Sequence, residues 1–195
     1  LPALQQIASQ RHWRVENYTK SACLFADVAV LDGSGREYEN CREWSHNVAE
    51  RLLNGANRPD LVLTSNSHGY MVIENGEQLE HSSSQSALAD GLVAVWSLLK
   101  GSGIDVAVLR DTPRPRIDVP ECVLEHHPDP GPCTVQLAEA EARNEAQLLA
   151  LERIEGVQLV DLTDKICPEG ECPPVIGNVL VWRDSHHLSA SYVQT

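Results

Sequence analysis

Short apolar runs alternate along this chain with longer segments in which apolar residues recur every three or four positions. The runs predict β-strands, and the longer segments predict amphipathic helices. The run Asp-Leu-Val-Leu-Thr at 60–64 is typical of a strand that is buried on both faces of a parallel sheet. Further strands are predicted at 13–18, 104–109, 157–162 and 179–182, a hairpin at 70–79, and helices at 1–10, 39–53, 84–99, 135–154 and 188–193.

Helices and strands alternate throughout this prediction. The order favours an α/β fold, specifically a three-layer α/β/α domain with a parallel sheet. No internal repeat interrupts the pattern, so residues 1–195 are expected to form a single domain. A domain of this class ordinarily begins with a strand, whereas this chain begins with a helix, and with Leu1 instead of Met. The first strand is therefore expected to be missing, and the coding frame is expected to begin upstream of Leu1.

The charge of the chain excludes some classes of partner. Lys and Arg number 15 and Asp and Glu number 28, which leaves a net charge of −13. Such a chain has no basic surface for the phosphates of DNA or RNA, so nucleic acid is not an expected partner. The densest apolar run, at 92–99, is far shorter than the roughly 18 residues that a membrane-spanning helix needs.

An even number of cysteines in loop-like, proline-rich surroundings favours disulfides and an oxidising compartment. Short loops close at the least entropic cost, which favours the pairs Cys23–Cys41, Cys122–Cys133 and Cys167–Cys172. Two alternatives stay open at this point. One is a zinc site built from Cys122, His126, His127 and Cys133, and the other is six reduced, buried thiols.

The most informative motif for chemistry lies in the segment 182–189, Trp-Arg-Asp-Ser-His-His-Leu-Ser. Asp184 and His187 stand three positions apart near the start of the predicted final helix, so the carboxylate can reach Nδ1 of the imidazole. A histidine held in this way keeps Nε2 available as a general base for a hydroxyl nucleophile. The alternative is that Asp184 caps the helix and His187 is an ordinary surface residue.

The block Asp184-Ser185-His186-His187-Leu188-Ser189 resembles the terminal catalytic block of the SGNH (GDSL-like) hydrolase superfamily. More of the chain is similar to one branch, the extracytoplasmic SGNH domain that follows the membrane-embedded acyltransferase-3 domain in bacterial glycan O-acyltransferases. The resemblance covers nearly the whole chain and implies the flavodoxin-like SGNH hydrolase fold. Its segments, in order, are 1–4, 19–23, 41–44, 59–63, 110–115, 161–164 with the cysteines at 167 and 172, and 183–189.

The resemblance also implies a serine nucleophile in a Gly-Asp-Ser-His motif at the end of the first strand. This motif is absent from the chain, so the nucleophile is expected upstream of Leu1. The superfamily's oxyanion hole suggests Ser21 and Asn66 as candidate donors, although the segment Thr19-Lys20-Ser21-Ala22 lacks the superfamily's glycine. The alternative is that both residues only stabilise their loops.

The function that the resemblance implies is acyl transfer, with acetyl as the expected group, to a hydroxyl of a cell-surface carbohydrate through a serine acyl-enzyme. Asp184 and His187 would be catalytic, and neither a metal nor a bound cofactor is required. The acyl group would come from a membrane acyltransferase domain upstream in the same chain, at the extracytoplasmic face of a bacterial membrane. The alternatives are a secreted SGNH carbohydrate esterase or deacetylase, with water as acceptor, and a non-catalytic glycan-binding module.

Overall fold

The computed structural model describes residues 2–67, 69–140 and 145–195. Its α-helices are α1 (Pro2–Arg11), α2 (Glu39–Asn54), α3 (His81–Gly101), α4 (Val119–Glu125), α5 (Leu137–Ala140), α6 (Glu145–Arg153) and α7 (Thr163–Ile166). Its strands are β1 (Leu61–Thr64), β2 (Ile73–Glu74), β3 (Glu77–Gln78), β4 (Asp105–Leu109), β5 (Val135–Gln136), β6 (Gln158–Val160), β7 (Glu171–Cys172), β8 (Val175–Ile176) and β9 (Val179–Leu180). Short 3-10 turns lie at Gly131–Cys133, Pro168–Gly170 and Tyr192–Gln194.

The chain divides into two compact units. The first consists of Leu1–Asn17, Thr112–Ala142 and Leu162–Thr195, and the second consists of Tyr18–Asp111 and Arg143–Asp161. The expectation of a single domain over 1–195 stays a prediction. In the part of the chain that the structure describes, no helix combines the length and the apolar character needed to cross a membrane.

The second unit contains a three-stranded parallel sheet in the order β1-β4-β6. Leu63 of β1 lies opposite Ala107 of β4, which in turn lies opposite Gln158 of β6. Parallel neighbours require a crossover, and in the chain α3 lies between β1 and β4, while α6 is the last helix before β6. The α/β class and the parallel sheet that the apolar runs predicted are therefore confirmed.

The core of the second unit forms between the sheet and its helices. Val106 and Val108 of β4 belong to one buried cluster with side chains of α2, α3 and α6. The largest fully buried member is Trp96 of α3. Burial of each large aliphatic side chain of this cluster contributes roughly 1.5–3 kcal/mol to folding. Its helical members are Cys41, Val48, Ala49, Leu52, Leu88, Ala89, Leu92, Val95, Trp96, Leu99, Ala146 and Ala150.

Strand β1 differs from the sequence prediction because only one of its faces is covered. Leu61 is 49% exposed and Leu63 is 40% exposed, whereas Thr64 on the other face is buried. Among the described residues, β1 pairs with β4 alone and therefore forms an edge of this sheet. The expectation of burial on both faces was wrong, because it assumed a central strand with helices on either side.

The first unit is built from short elements around a smaller core. Strands β5 and β7 pair antiparallel, and so do β8 and β9. Val119, Ala140 and Ile166 pack with the fully buried Val181 and Trp182 in one hydrophobic cluster. Cys167 and Cys172 belong to the same cluster and are themselves fully buried. This core supports the segment that carries the Asp-x-x-His motif.

All three predicted disulfides are present. Cys23–Cys41 joins the 19–23 segment to α2, Cys122–Cys133 ties α4 to the turn that follows it, and Cys167–Cys172 closes a small loop. No free thiol remains, so both the zinc alternative and the reduced alternative were wrong. Loop entropy was a sufficient guide here because the partners are close in sequence.

Four other element predictions were wrong. The segment 13–18 forms no strand, and Trp13 in it is 61% exposed. The structure has helix α4 at Val119–Glu125, where the sequence pattern predicted no helix. The helix expected at 135–154 begins as strand β5 and continues as α5 and α6, while 141–144 lie outside the described residues. The helix expected at 188–193 is reduced to the 3-10 turn Tyr192–Gln194.

Candidate active site

Asp184 and His187 lie in a tight loop and not at the start of a helix. Trp182 and Leu188 form an antiparallel bridge that closes the loop, and the Arg183 N–H donates to the His187 carbonyl oxygen at 2.9 Å. Trp182 is fully buried in the core of the first unit, so one end of the loop is anchored. The loop is also tied at its tip, where the Ser185 carbonyl oxygen accepts a hydrogen bond from the backbone N–H of Arg116 at 3.0 Å.

The two oxygens of the Asp184 carboxylate have different partners. Oδ1 accepts hydrogen bonds from the backbone N–H groups of His186 at 2.9 Å and His187 at 2.8 Å. Oδ2 lies 2.7 Å from Nδ1 of His187. Asp184 therefore stabilises a turn instead of capping a helix, which was the alternative interpretation, and it also holds the imidazole ring, as the catalytic interpretation required.

The local charges keep Asp184 ionised. Partial burial alone would raise the pKa of Asp184, but the N–H groups of His186 and His187 and the contact with the His187 ring outweigh it. Together they hold the pKa of this carboxyl well below its usual range. Arg183 adds a cation near the carboxylate, with its Nε 3.5 Å from Oδ2. A permanently charged Asp184 favours the His187 tautomer with a proton on Nδ1 and stabilises the imidazolium that forms when Nε2 takes a proton.

His187 is accessible to a reacting group. Its side chain is 50% exposed, and Asp184 is 35% exposed. In the described ranges, no serine or threonine hydroxyl is hydrogen-bonded to its Nε2. The arrangement is one that can act as a general base, with the ring oriented by a carboxylate, while no hydroxyl for it to activate is among the hydrogen-bond partners of the ring in the described ranges.

A neighbouring histidine makes the same loop a conceivable metal ligand set. Asp184, His186 and His187 have ligand atoms within 4.8 Å of one another, and the rings of His186 and His187 are 3.9 Å apart. A metal ion would compete with the 2.7 Å contact between Oδ2 and Nδ1 that defines the Asp–His pair. The geometry therefore suits acid–base chemistry better than metal binding.

The other candidates, Ser21 and Asn66, lie in the second unit. Ser21 is exposed, and its carbonyl oxygen accepts a hydrogen bond from the Tyr38 hydroxyl at 3.3 Å. The next residue, Ala22, has a φ of 51°, in the left-handed region that favours glycine. The segment without glycine thus adopts a glycine-like backbone at Ala22.

Asn66 follows β1 at the carboxyl end of the sheet and is only 8% exposed. Its side-chain Oδ1 accepts a hydrogen bond from Nε2 of Gln147 at 3.4 Å, and its Nδ2 lies 3.4 Å from the Ser67 carbonyl oxygen. The carboxyl end of a parallel sheet is where α/β proteins place ligands. The position therefore agrees with the expected location of an oxyanion donor, although its role stays a prediction.

A family model described as SGNH domain (fused to AT3 domains) matches residues 1–194. The chain belongs to this SGNH family. The family's description joins such domains to AT3 domains, which supports a membrane acyltransferase part in the same chain as this SGNH domain. A comparison with curated proteins found no match.

The SGNH domain is also similar to a solved structure, the periplasmic domain of the lipopolysaccharide acetyltransferase of Salmonella ser. Paratyphi A. The TM-score is 0.68 with 13% sequence identity, and the match covers 98% of this chain and 73% of that chain. At this identity the similarity shows the fold alone. It confirms the SGNH-like α/β fold that the resemblance implied.

One residue in contact with Asn66 was missed in the sequence. Gln147 lies on the inner face of α6 with Ala146 and Ala150 and is fully buried. The signal was a long polar side chain within the apolar stripe of an amphipathic helix. It was overlooked because a glutamine in a Glu-rich helix is more often part of the solvated face.

Proposed function

We propose that this SGNH domain transfers an acyl group, acetyl in the simplest case, to a hydroxyl of a cell-surface carbohydrate. The observation that carries the proposal is the Asp184–His187 pair, with a 2.7 Å contact and an accessible ring, in a family whose members are fused to AT3 domains. The similar Salmonella structure belongs to a lipopolysaccharide acetyltransferase, and a lipopolysaccharide is a carbohydrate acceptor. Its periplasmic location supports an extracytoplasmic site of action.

The reaction is a two-step acyl transfer with a serine nucleophile. In the first step Nε2 of His187 takes the serine proton, the serine oxygen bonds to the acyl carbon, and the donor's leaving group departs with that proton. In the second step Nε2 takes the proton of a sugar hydroxyl, the sugar oxygen bonds to the acyl carbon, and the serine oxygen recovers its proton. Asp184 stabilises the imidazolium in both steps.

The proposal places this serine upstream of Leu1, on a strand that adds to the sheet. Strand β1 supports it, because β1 pairs with β4 alone among the described residues and the backbone groups along its other edge can form hydrogen bonds with a further strand. Asn66 is proposed as an oxyanion donor, because its amide lies at the carboxyl end of β1. Ser21 is proposed as a second donor through its backbone N–H or hydroxyl, in a loop that lacks the superfamily's glycine.

The experiment follows a labelled acetyl group in the complete protein, including its AT3 part, with a carbohydrate acceptor present. We expect label on the carbohydrate, and His187→Ala should lower its rate by about 10³-fold or more. Release of free acetate at the same rate with and without the carbohydrate would instead support the esterase alternative. An unchanged rate in His187→Ala would remove the Asp–His pair from the reaction and favour the binding-module alternative.

The position of the nucleophile has its own test. Hydrolysis of 4-nitrophenyl acetate is compared between the 195-residue chain and a chain extended upstream by roughly 20 residues, enough for one strand and its turn. We expect activity in the extended chain only. Equal activity in both chains that is abolished by Ser21→Ala would show that the nucleophile lies within the 195 residues.

A further inference from the structure

Gln147 connects the ends of two neighbouring strands through one nitrogen atom. Nε2 donates to the carbonyl oxygen of Leu109, the last residue of β4, at 3.2 Å. The same Nε2 donates to Oδ1 of Asn66, which follows β1, at 3.4 Å. Both hydrogens of the amide are thus directed at acceptors on the carboxyl end of the sheet.

These two contacts determine which way the Asn66 amide faces. Leu109 offers only a carbonyl oxygen, so the Gln147 amide must present Nε2, and not Oε1, on this side. Because Nε2 of Gln147 is a donor, its partner on Asn66 must be an acceptor, and the only acceptor in that amide is the oxygen Oδ1. The amide of Asn66 must therefore present Oδ1 to Gln147, which turns its Nδ2 donor end away from Gln147, and Nδ2 lies 3.4 Å from the Ser67 carbonyl oxygen.

The environment of Oε1, the other polar atom of the Gln147 amide, indicates that this orientation has a role beyond stability. Gln147 is fully buried, and its Oε1 has no hydrogen-bond partner among the residues that the structure describes. A buried acceptor without a partner is destabilising, and an apolar side chain of the same shape would avoid that loss. The feature of glutamine that an apolar residue cannot replace here is its double donation to Leu109 and Asn66.

We propose that Gln147 is a positioning residue that holds the Asn66 amide in the orientation in which Nδ2, and not Oδ1, is the end that can donate to the reacting acyl oxygen. This inference rests on the proposed function, in which Asn66 is an oxyanion donor. Gln147 does not touch the substrate in this account. It acts through Asn66, because a donor that can rotate so as to present its oxygen would repel the developing oxyanion instead of stabilising it.

The test uses the complete protein and an activated acetyl ester, with four variants: Gln147→Met, Asn66→Ala, both together, and Gln85→Met. We expect Gln147→Met to lower kcat roughly 10- to 100-fold while KM changes by less than about twofold, since a displaced donor acts on the transition state. Asn66→Ala should lower kcat roughly 10²- to 10³-fold. In the Asn66→Ala background, Gln147→Met should have almost no further effect.

Gln85→Met is the matched control. Gln85 is also buried, and its Oε1 accepts a hydrogen bond from the Ala146 N–H at 3.1 Å, near the start of the helix that carries Gln147. Its substitution should lower the melting temperature and leave kcat unchanged. If Gln147→Met does not fold, Gln147→Leu replaces it in the same cycle.

The outcomes separate the two proposals. An equal loss from Gln147→Met in both backgrounds, or an unchanged kcat, would overturn the positioning role while leaving the Asp184–His187 chemistry intact. An unchanged kcat in Asn66→Ala would also overturn it, because Asn66 would then not be a donor. Failure of the proposed function itself shows separately, as an unchanged rate in His187→Ala.

Discussion

Replacement of Asp184 by asparagine tests the Asp–His pair with the smallest possible change of shape. The asparagine oxygen can keep the two backbone hydrogen bonds that Oδ1 now accepts from His186 and His187. The amide nitrogen then faces Nδ1 of His187 in place of Oδ2. Two donors cannot share that contact, so the ring shifts to the tautomer with its proton on Nε2, which is unable to act as a base.

The loss of the negative charge adds to the loss of the correct tautomer. An ion pair whose charges are about 4 Å apart is worth about 1 kcal/mol in water and about 4 kcal/mol near a protein surface. Asp184 is 35% exposed and His187 is 50% exposed, so solvent screening places the pair toward the lower part of this range. The loss of this ion pair and the change of His187 tautomer act together, and we expect Asp184→Asn to lower kcat roughly 10²- to 10⁴-fold.

The assay is the turnover of 4-nitrophenyl acetate by the complete protein, with thermal melting to verify that each variant is folded. Asp27→Asn provides a matched control in the second unit, because Oδ1 of Asp27 lies 2.8 Å from Nε2 of His46 at similar exposure. That exposed pair has no proposed role in the reaction, so the turnover rate of Asp27→Asn should stay within about twofold of the rate of the unmodified protein. A normal rate in Asp184→Asn, or an equal loss in Asp27→Asn, would refute the reasoning.

Three further predictions concern stability. Ala22→Gly should raise the free energy of unfolding by about 1 kcal/mol in urea titrations, because Ala22 has a φ of 51°; a decrease would contradict the left-handed assignment. Double serine substitution of Cys23–Cys41, whose partners are 18 residues apart, should cost about 3 kcal/mol, against about 2 kcal/mol for Cys167–Cys172 with a separation of 5. The reverse order in the same titration would show that loop entropy does not dominate. The pKa of Asp184 is lowered on folding, so its stabilising effect is present above the unfolded value of 3.8 and is lost as the pH falls below it. Melting temperatures of the unmodified protein and Asp184→Asn should therefore converge in acid, and a constant difference down to strongly acidic pH would count against the lowered pKa.

Features encoded within a few residues were predictable. The runs that became β1, β4 and β6, the hairpin with Asn75-Gly76 at its tip and the limits of α2 follow from local apolar spacing and turn residues. The disulfides follow from short loops. The Asp184–His187 contact belongs to the same class, because the partners are three residues apart and a single turn brings them together.

Features that depend on distant partners were not predictable. The 13–18 segment alternates like a strand but is irregular, since a strand needs a neighbour to satisfy its hydrogen bonds and none pairs with it among the described residues. The helix expected at 188–193 is largely lost because Trp182 pairs with Leu188 and holds the backbone there in a bridge.

The sequence by itself thus determined the fold class, the cysteine pairing and the contact between Asp184 and His187, because each depends on interactions over short separations. Only the tertiary structure decided which side chains surround Asn66, since Gln147 is 81 residues away along the chain. Only the tertiary structure also decided that β1 is an edge with Leu61 and Leu63 exposed. The physical reason is the same in both cases: burial and long-range hydrogen bonding are properties of packed neighbours, and the local pattern of a segment does not specify which neighbours it will have.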